Sequence, residues 1–231
     1  MAYIYEHIRT RGYEPLYFEE HFTYLDARAV SLLHTSFNPS REELLNAIKE
    51  ALQSARFSPT AMNVVEVRYY ADGELEVKAE AFIYNEFSLR ALHPRAYLCQ
   101  VSGDILLQNT SAKEALVEFN RTTESGVAIW ANEQNEVLAI DGFPVIAVFE
   151  DEVRFSRMGD SVEFNLAYSK VVEMGRNTTK EAISIEDLHQ AKELLFVSYY
   201  GLSAVERYDT TRYMDITAEK LAAKIAEVEQ A

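Results

Sequence analysis

The alternation of apolar and polar positions in the first hundred residues predicts a sheet with two helices on one of its faces. Strands are predicted over 3–9, 16–18, 63–70, 74–82 and 96–101. The first two strands would form a hairpin around a turn at 12–15. Apolar residues recur at intervals of three and four over 19–33 and again from Ser40, so both segments are predicted to be helical. Glu43 completes a capping-box pattern with Ser40 at the start of the second helix.

The second half of the chain has a different order of elements. Helices are predicted over 111–123, 162–174, 185–191 and from 217 onward, and strands over 127–131, 137–140, 145–149, 153–155 and 194–198. The pattern changes at 102–109, where Gly103 and Asp104 are typical of a loop. We therefore predict two α/β domains, 1–102 and 110–231, joined by an interdomain linker at 103–109.

Charge and composition exclude several classes of protein. The formal net charge of −15 argues against binding to nucleic acid or to an anionic membrane surface, because both need clustered Lys and Arg. No apolar run approaches the roughly 18 residues of a spanning helix, and we expect a cytoplasmic protein. The single cysteine, Cys99, is expected to be a buried strand residue. The five histidines form no pair with the spacing of metal ligands on a helix, so no metal site is expected.

Four short stretches, taken in order, resemble landmarks of the class IV aminotransferases. They are Ile4-Tyr5-Glu6-His7-Ile8-Arg9, Phe18-Glu19-Glu20-His21, the helical segment 183–188 with Ala191, and the strand and glycine turn at 193–205. This family comprises the fold type IV pyridoxal-phosphate enzymes, which include D-amino-acid and branched-chain aminotransferases and aminodeoxychorismate lyase. The resemblance implies a two-domain α/β fold with a cleft between the domains, a homodimer, and pyridoxal phosphate as cofactor.

The same resemblance implies that the residues which hold and use the cofactor are replaced in this chain. Asn109 stands at the position of the lysine whose amine forms an imine with the cofactor aldehyde, and an amide cannot form that bond. Tyr24 replaces the arginine that pairs with the cofactor phosphate. Ala139 or Ile140 replaces the acid that protonates the pyridinium nitrogen. Phe164 replaces a glycine at a helix start that offers backbone amides to the phosphate.

Nearby residues could supply the lost groups if the alignment shifts slightly. Arg28 lies one helical turn after Tyr24, and Lys113 lies four residues after Asn109. Asp141 follows the position of the missing acid. The alternative interpretations are a solvated arginine, an exposed lysine in the first turn of a helix, and a turn at 141–142. The resemblance assigns these residues to cofactor binding: Tyr24, Arg28, Asn109, Asn165, Tyr199, Tyr200 and Gly201.

Three hypotheses for function follow. The first is a non-catalytic or repurposed relative that binds a small anionic ligand in the interdomain cleft, or a protein partner. The second is an active pyridoxal-phosphate transaminase or lyase, acting on an amino acid or an aminodeoxychorismate-like substrate, with Lys113 as the shifted lysine. The third is a structural dimerising protein without a ligand. Pyridoxal phosphate is thus implied by the family, while the replacements at the site argue against its capture.

Overall fold

The computed structural model describes residues 2–80, 88–89, 94–102, 109–123 and 125–230. Within that part of the chain the helices are α1 (Phe18–Leu33), α2 (Arg41–Ser54), α3 (Ser111–Thr123), α4 (Val162–Glu173), α5 (Ile185–Gln190) and α6 (Ile216–Gln230). Among the described residues, none of these helices combines the length and the apolar character needed to cross a membrane. The chain divides into two compact units, Met1–Asn85 with Gln108–Glu114 and Glu86–Leu107 with Ala115–Ala231.

The first unit contains an antiparallel sheet with two helices on one face, as the sequence predicts. Its strands are β1 (Tyr3–Arg11), β2 (Glu14–Pro15), β3 (Met62–Tyr70) and β4 (Leu75–Glu80), in the spatial order β2-β1-β3-β4. Apolar residues of β1 and β3 share one core with α1 and α2. In α2, Leu44, Ile48 and Leu52 recur at intervals of four and are fully buried, which explains why this segment packs as a helix.

The alternation along β1 decides where its polar residues lie. Ile4 and Ile8 belong to the core under the helices. Successive side chains of a strand point to opposite faces, so Glu6 lies between these two residues on the face that meets α1. His7 therefore lies on the other face. The carboxylate of Glu6 therefore lies in an apolar layer, where it needs hydrogen-bond or ion-pair partners.

The start of α1 differs from the sequence prediction. The residues predicted as a strand at 16–18 instead lead into the helix, and Phe18 is its first residue. The returning strand of the hairpin is β2, which pairs Thr10 with Pro15. Gly12 has a φ of 59°, and a Cβ placed there would lie 2.0 Å from the carbonyl oxygen of Pro59, so this turn requires glycine. The capping box of α2 is confirmed. The hydroxyl of Ser40 accepts a hydrogen bond from the backbone N–H of Glu43, and the carboxylate of Glu43 accepts one from the backbone N–H of Ser40.

In the part of the chain that the structure describes, the second unit contains two sheets. The larger has the order β11 (Thr178–Glu181), β10 (Val153–Ser156), β9 (Val145–Val148), β12 (Glu193–Ser198), β13 (Gly201–Ala204) and β5 (Ser88–Leu89). The smaller has the order β15 (Thr211–Arg212), β14 (Arg207–Tyr208), β6 (Arg95–Gln100), β7 (Val127–Ala131) and β8 (Val137–Ile140). Trp130, the one tryptophan of the chain, is fully buried in β7.

The two units group the chain differently from the predicted boundaries at 102 and 110. Strand β6 joins the second unit because it pairs in parallel with β7, with Ala96 opposite Val127. The first turn of α3 joins the first unit, where the backbone N–H of Tyr5 donates to the carbonyl of Asn109 at 2.9 Å. Apart from Asn109, the linker predicted at 103–109 lies outside the described residues.

Candidate functional site

Glu6 is the centre of a buried polar network in the first unit. Glu6 is 2% exposed, and one of its carboxylate oxygens lies 2.9 Å from Nδ1 of His21. The other oxygen pairs with the guanidinium of Arg28 and accepts from Nδ2 of Asn109 at 3.1 Å. Burial alone would raise the pKa of Glu6, but the charge of Arg28 and the bonds from His21 and Asn109 lower that pKa to about 2. The carboxylate is therefore ionised and fully partnered.

Helix α1 supplies two of these partners from one face. His21, Tyr24 and Arg28 are spaced by three and four residues, which places them along the same side of the helix. The guanidinium carbon of Arg28 lies 4.8 Å from the centre of the Tyr24 ring. Arg28 is 6% exposed, so the interpretation of this residue as a solvated arginine is wrong. Tyr24, at the position that the resemblance assigns to the phosphate-binding arginine, thus packs against an arginine that already binds a carboxylate.

Asn109 and Lys113 complete the network at the start of α3. Nζ of Lys113 donates to Oδ1 of Asn109 at 2.8 Å, while Nδ2 of Asn109 donates to Glu6. Both ends of the amide are therefore used, which fixes its orientation. Lys113 is 4% exposed, so the alternative of an exposed lysine on the first helical turn is wrong.

The ionisation of Lys113 reflects its surroundings. Burial lowers the pKa of its amine, the charge of Arg28 lowers it further, and the carboxylate of Glu6 opposes both; the resulting pKa is about 7. A lysine with this pKa is neutral in a large fraction of molecules near neutral pH. A neutral amine is the nucleophilic form, which is the property that imine chemistry requires.

The position that the resemblance assigns to the missing acid is apolar in the structure. Ala139 and Ile140 are 1% and 0% exposed within β8. Asp141 and Gly142 have φ values of 49° and 77°, the left-handed conformations of a tight hairpin turn. The carboxylate of Asp141 accepts from the backbone N–H of Ala128 at 2.8 Å. Asp141, in the turn between β8 and β9, is therefore hydrogen-bonded to the backbone of β7.

The start of α4 contains a buried aromatic residue. Phe164 is fully buried and its ring centre lies 5.1 Å from that of Phe155. Its backbone N–H donates to the hydroxyl of Ser161 at 3.1 Å, and the N–H of Asn165 donates to the carbonyl of Ser161 at 3.0 Å. These first-turn amides are thus satisfied within the helix cap. The Asn165 side chain donates to Asp160 at 3.2 Å.

The turn between β12 and β13 contains the remaining predicted residues. The ring centres of Tyr199 and Tyr200 are 4.1 Å apart. The backbone N–H of Tyr200 donates to the hydroxyl of Ser198 at 3.2 Å, and Gly201 has a φ of 117° that favours glycine. The strand and glycine turn expected here are therefore present, with Leu202 of β13 in the core of the second unit.

The predicted residues fall into two groups. Tyr24, Arg28, Asn109 and Lys113 lie together around Glu6 in the first unit. The others belong to the second unit: Asn165, Tyr199, Tyr200 and Gly201. The sequence motifs do not mark Glu6 or His21 as site residues. A sequence signal for Glu6 is its place between Ile4 and Ile8 on the apolar face of a strand, which is an unusual position for a charge.

Comparison of the sequence with protein-family models and with curated proteins gives no match. Among solved structures, a Thermotoga maritima protein assigned as a branched-chain amino acid aminotransferase has a TM-score of 0.82 and 14% identity, covering 98% of this chain and 85% of that chain. A hypothetical aminotransferase from Mycobacterium tuberculosis has a TM-score of 0.80 and 14% identity, covering 98% and 89%. A Legionella pneumophila protein assigned as a 4-amino-4-deoxychorismate lyase has a TM-score of 0.77 and 12% identity, covering 97% and 90%.

The chain therefore has the fold of the class IV aminotransferases, the fold type IV group of pyridoxal-phosphate enzymes. A pyridoxal-phosphate-bound form of the M. tuberculosis protein is among the similar structures. This result confirms the fold that the four short sequence stretches predict. Identities of 12% to 17% establish the fold alone, and the chemistry of this chain depends on its own residues.

Proposed function

We propose that this chain is a non-catalytic relative of the fold type IV enzymes, repurposed to bind a small anionic ligand. The observation that carries the proposal is the use of Asn109 as a link between Glu6 and Lys113. At the position that the resemblance assigns to the catalytic lysine, an amide makes two hydrogen bonds within a closed network. That arrangement serves stability and pre-organisation, and the amide of Asn109 itself cannot form an imine.

The residues at the assigned cofactor positions do not fit pyridoxal phosphate. The guanidinium of Arg28 is paired with Glu6, so a phosphate would have to compete with a buried carboxylate for it. Ala139 and Ile140 offer no carboxylate to a pyridinium nitrogen. At the start of α4 the amide of Phe164 is already capped by Ser161. Three separate requirements of the cofactor are therefore unmet by the residues present.

The charge around Glu6 supports an anionic ligand. Arg28 and Lys113 place two basic side chains beside a single carboxylate, in a chain whose formal net charge is −15. Basic groups gathered in an otherwise acidic protein favour anions locally. The small anionic metabolite of the proposal would bind beside this network with the Arg28–Glu6 pair intact, because the competition that argues against the cofactor phosphate applies to any anion that needs Arg28.

A specific observation favours one alternative, an active pyridoxal-phosphate transaminase or lyase that uses Lys113. The pKa of about 7 gives this lysine the neutral form that attack on an aldehyde needs. Against it, the amine is buried and already donates to Asn109. The two functions differ in one observable, which is a covalent bond between Lys113 and the cofactor.

The test is reaction of the purified protein with pyridoxal phosphate, followed by borohydride reduction, intact mass and peptide mapping. We expect no more labelling at Lys113 than at Lys49, an exposed lysine of α2 that reports nonspecific reaction. The variants Lys113→Met and Lys49→Met should label to the same extent as the wild type. Stoichiometric labelling confined to Lys113, lost in Lys113→Met alone, would overturn the proposal and establish the enzyme.

A homodimer, which the family resemblance implies, and a cytoplasmic location, which the sequence predicts, are further parts of the proposal. Analytical ultracentrifugation of the full chain should give twice the 26.4 kDa chain mass. A monomer over a wide concentration range would contradict the dimer. A dimer that shows no thermal stabilisation with any carboxylate or phosphate metabolite in a broad screen would favour the third hypothesis, a structural dimerising protein.

A further inference from the structure

One face of the first sheet gathers an imidazole and two carboxylates from three neighbouring strands. His7 of β1 lies directly opposite Glu66 of β3, while Glu80 of β4 lies opposite Val64, two residues along β3 from Glu66. Nε2 of His7 is 3.3 Å from a carboxylate oxygen of Glu66 and 4.0 Å from one of Glu80. One donor atom from each residue lies within 4.8 Å of the other two.

We propose that His7, Glu66 and Glu80 bind a divalent transition metal, for which Zn²⁺ is the best match. Zinc takes imidazole nitrogen and carboxylate oxygen at about 2.1 Å, so tetrahedral ligand atoms lie roughly 3.4 Å apart. The His7–Glu66 separation already matches this value, whereas Glu80 is 4.0 Å from Nε2 of His7 and its side chain would move closer to bind the metal. Three protein ligands leave a fourth position for water or a ligand.

The chemistry of the donors favours a transition metal over Mg²⁺ or Ca²⁺. Mg²⁺ and Ca²⁺ select oxygen ligands, whereas an imidazole nitrogen suits Zn²⁺ and its neighbours in the first row.

Surrounding residues orient the ligands. Nε of Arg68 binds one oxygen of Glu66 at 2.5 Å, and the other oxygen faces His7. Hydrogen bonds of this kind fix the ligands of metal sites in proteins. Arg68 also pairs with Glu114 at 2.8 Å, which offsets its positive charge. The imidazole of His7 meets the ring of Tyr5 edge-on, with centres 5.6 Å apart, which restricts its rotation.

The sequence prediction of no metal site considered histidine pairs on one helix, whereas this group comes from cross-strand pairing. An ion pair of His7 with a glutamate would need only one of the two carboxylates. The second one, Glu80, has a side chain that is 37% exposed and gives the group an accessible side. Residues His7 and Glu66, at 13% and 7% side-chain exposure, form the inner wall.

The experiment is calorimetric titration of Zn²⁺ into the chelator-treated full-length protein, with Mg²⁺ as the comparison. We expect one Zn²⁺ per chain, no comparable binding of Mg²⁺, and at least a tenfold loss of affinity in Glu80→Gln and in His7→Gln. His189→Gln is the matched control, because His189 is an exposed histidine in the second unit. Its affinity should equal that of the wild type.

Glu80→Gln keeps the test valid if His7→Gln fails to fold, since Glu80 is partly exposed at the edge of the cluster. Substitution of Co²⁺ gives an independent readout, because the intensity of its visible absorption distinguishes a four-coordinate site from a six-coordinate one. The proposal is overturned if Zn²⁺ binds the wild type no more tightly than it binds Glu80→Gln. It is also overturned if His189→Gln loses the same affinity, since Zn²⁺ would then bind surface histidines only.

Discussion

Replacement of Lys113 by methionine should stabilise the protein near neutral pH and flatten the dependence of its stability on pH. The amine has a pKa of about 7 in the folded chain against an ordinary value of 10.5. At any pH between these two pKa values, Lys113 binds more protons in the unfolded chain than in the folded chain. The free energy of unfolding therefore rises with pH across this window, and the contribution is most unfavourable below pH 7.

The magnitude follows from the same two values. At about 1.36 kcal/mol per pKa unit, the difference between 10.5 and about 7 corresponds to about 5 kcal/mol of destabilisation at low pH. Methionine carries no charge and so removes this destabilisation. It also removes the hydrogen bond from Nζ of Lys113 to Oδ1 of Asn109, at a cost of about 1–3 kcal/mol. We expect Lys113→Met to gain about 2–4 kcal/mol at pH 6–7. The gain should disappear by about pH 10.

The assay is urea denaturation followed by circular dichroism at one-unit intervals from pH 6 to pH 10. Lys49→Met is the matched control, because this exposed lysine of α2 should leave the pH dependence unchanged. The reasoning is refuted if the wild type and Lys113→Met give parallel curves of unfolding free energy against pH. It is also refuted if the variant is less stable than the wild type at pH 6.

Further predictions concern the same unit. Glu6→Gln should lower the free energy of unfolding by about 3–5 kcal/mol in urea titrations, because it leaves Arg28 buried without a counter-charge; a change below about 1 kcal/mol contradicts the network. The pKa of about 2 for Glu6, below its ordinary 4.5, adds stability present above pH 4.5 and lost as pH falls toward 2; Glu6→Gln should abolish this dependence. Asn109→Lys should not capture pyridoxal phosphate, since Arg28 remains paired; a stoichiometric borohydride-reduced adduct would refute this. Gly12→Ala should lower the thermal midpoint because its Cβ meets the Pro59 carbonyl, and an unchanged midpoint would refute the turn geometry.

Local signals in the sequence predicted most of the fold. Helix α2 follows from a capping box and a four-residue apolar repeat, both of which involve residues close in sequence. The strand wrongly predicted at 16–18 shows the limit of such signals: three residues are too few to establish a period, and Phe18 packs into the core as part of α1.

The candidate site required contacts that no local pattern contains. Asn109 was recognised from its position in a resemblance, but its partner Glu6 lies 103 residues away. Lys113 has the sequence pattern of an exposed residue in the first turn of α3. Its burial arises because the start of this helix belongs with the first unit and adds to the edge of β1. Only tertiary structure can convert such a lysine from a surface charge into a buried amine.

The position of Trp130 determines what fluorescence can report about this protein. It is the single tryptophan, and it is fully buried in β7 of the second unit, whereas Glu6 and Lys113 belong to the first. Tryptophan emission during denaturation thus follows one unit, while circular dichroism follows both. If the Lys113→Met variant shifts the dichroism curve and leaves the emission curve in place, the two units unfold as separate cooperative blocks.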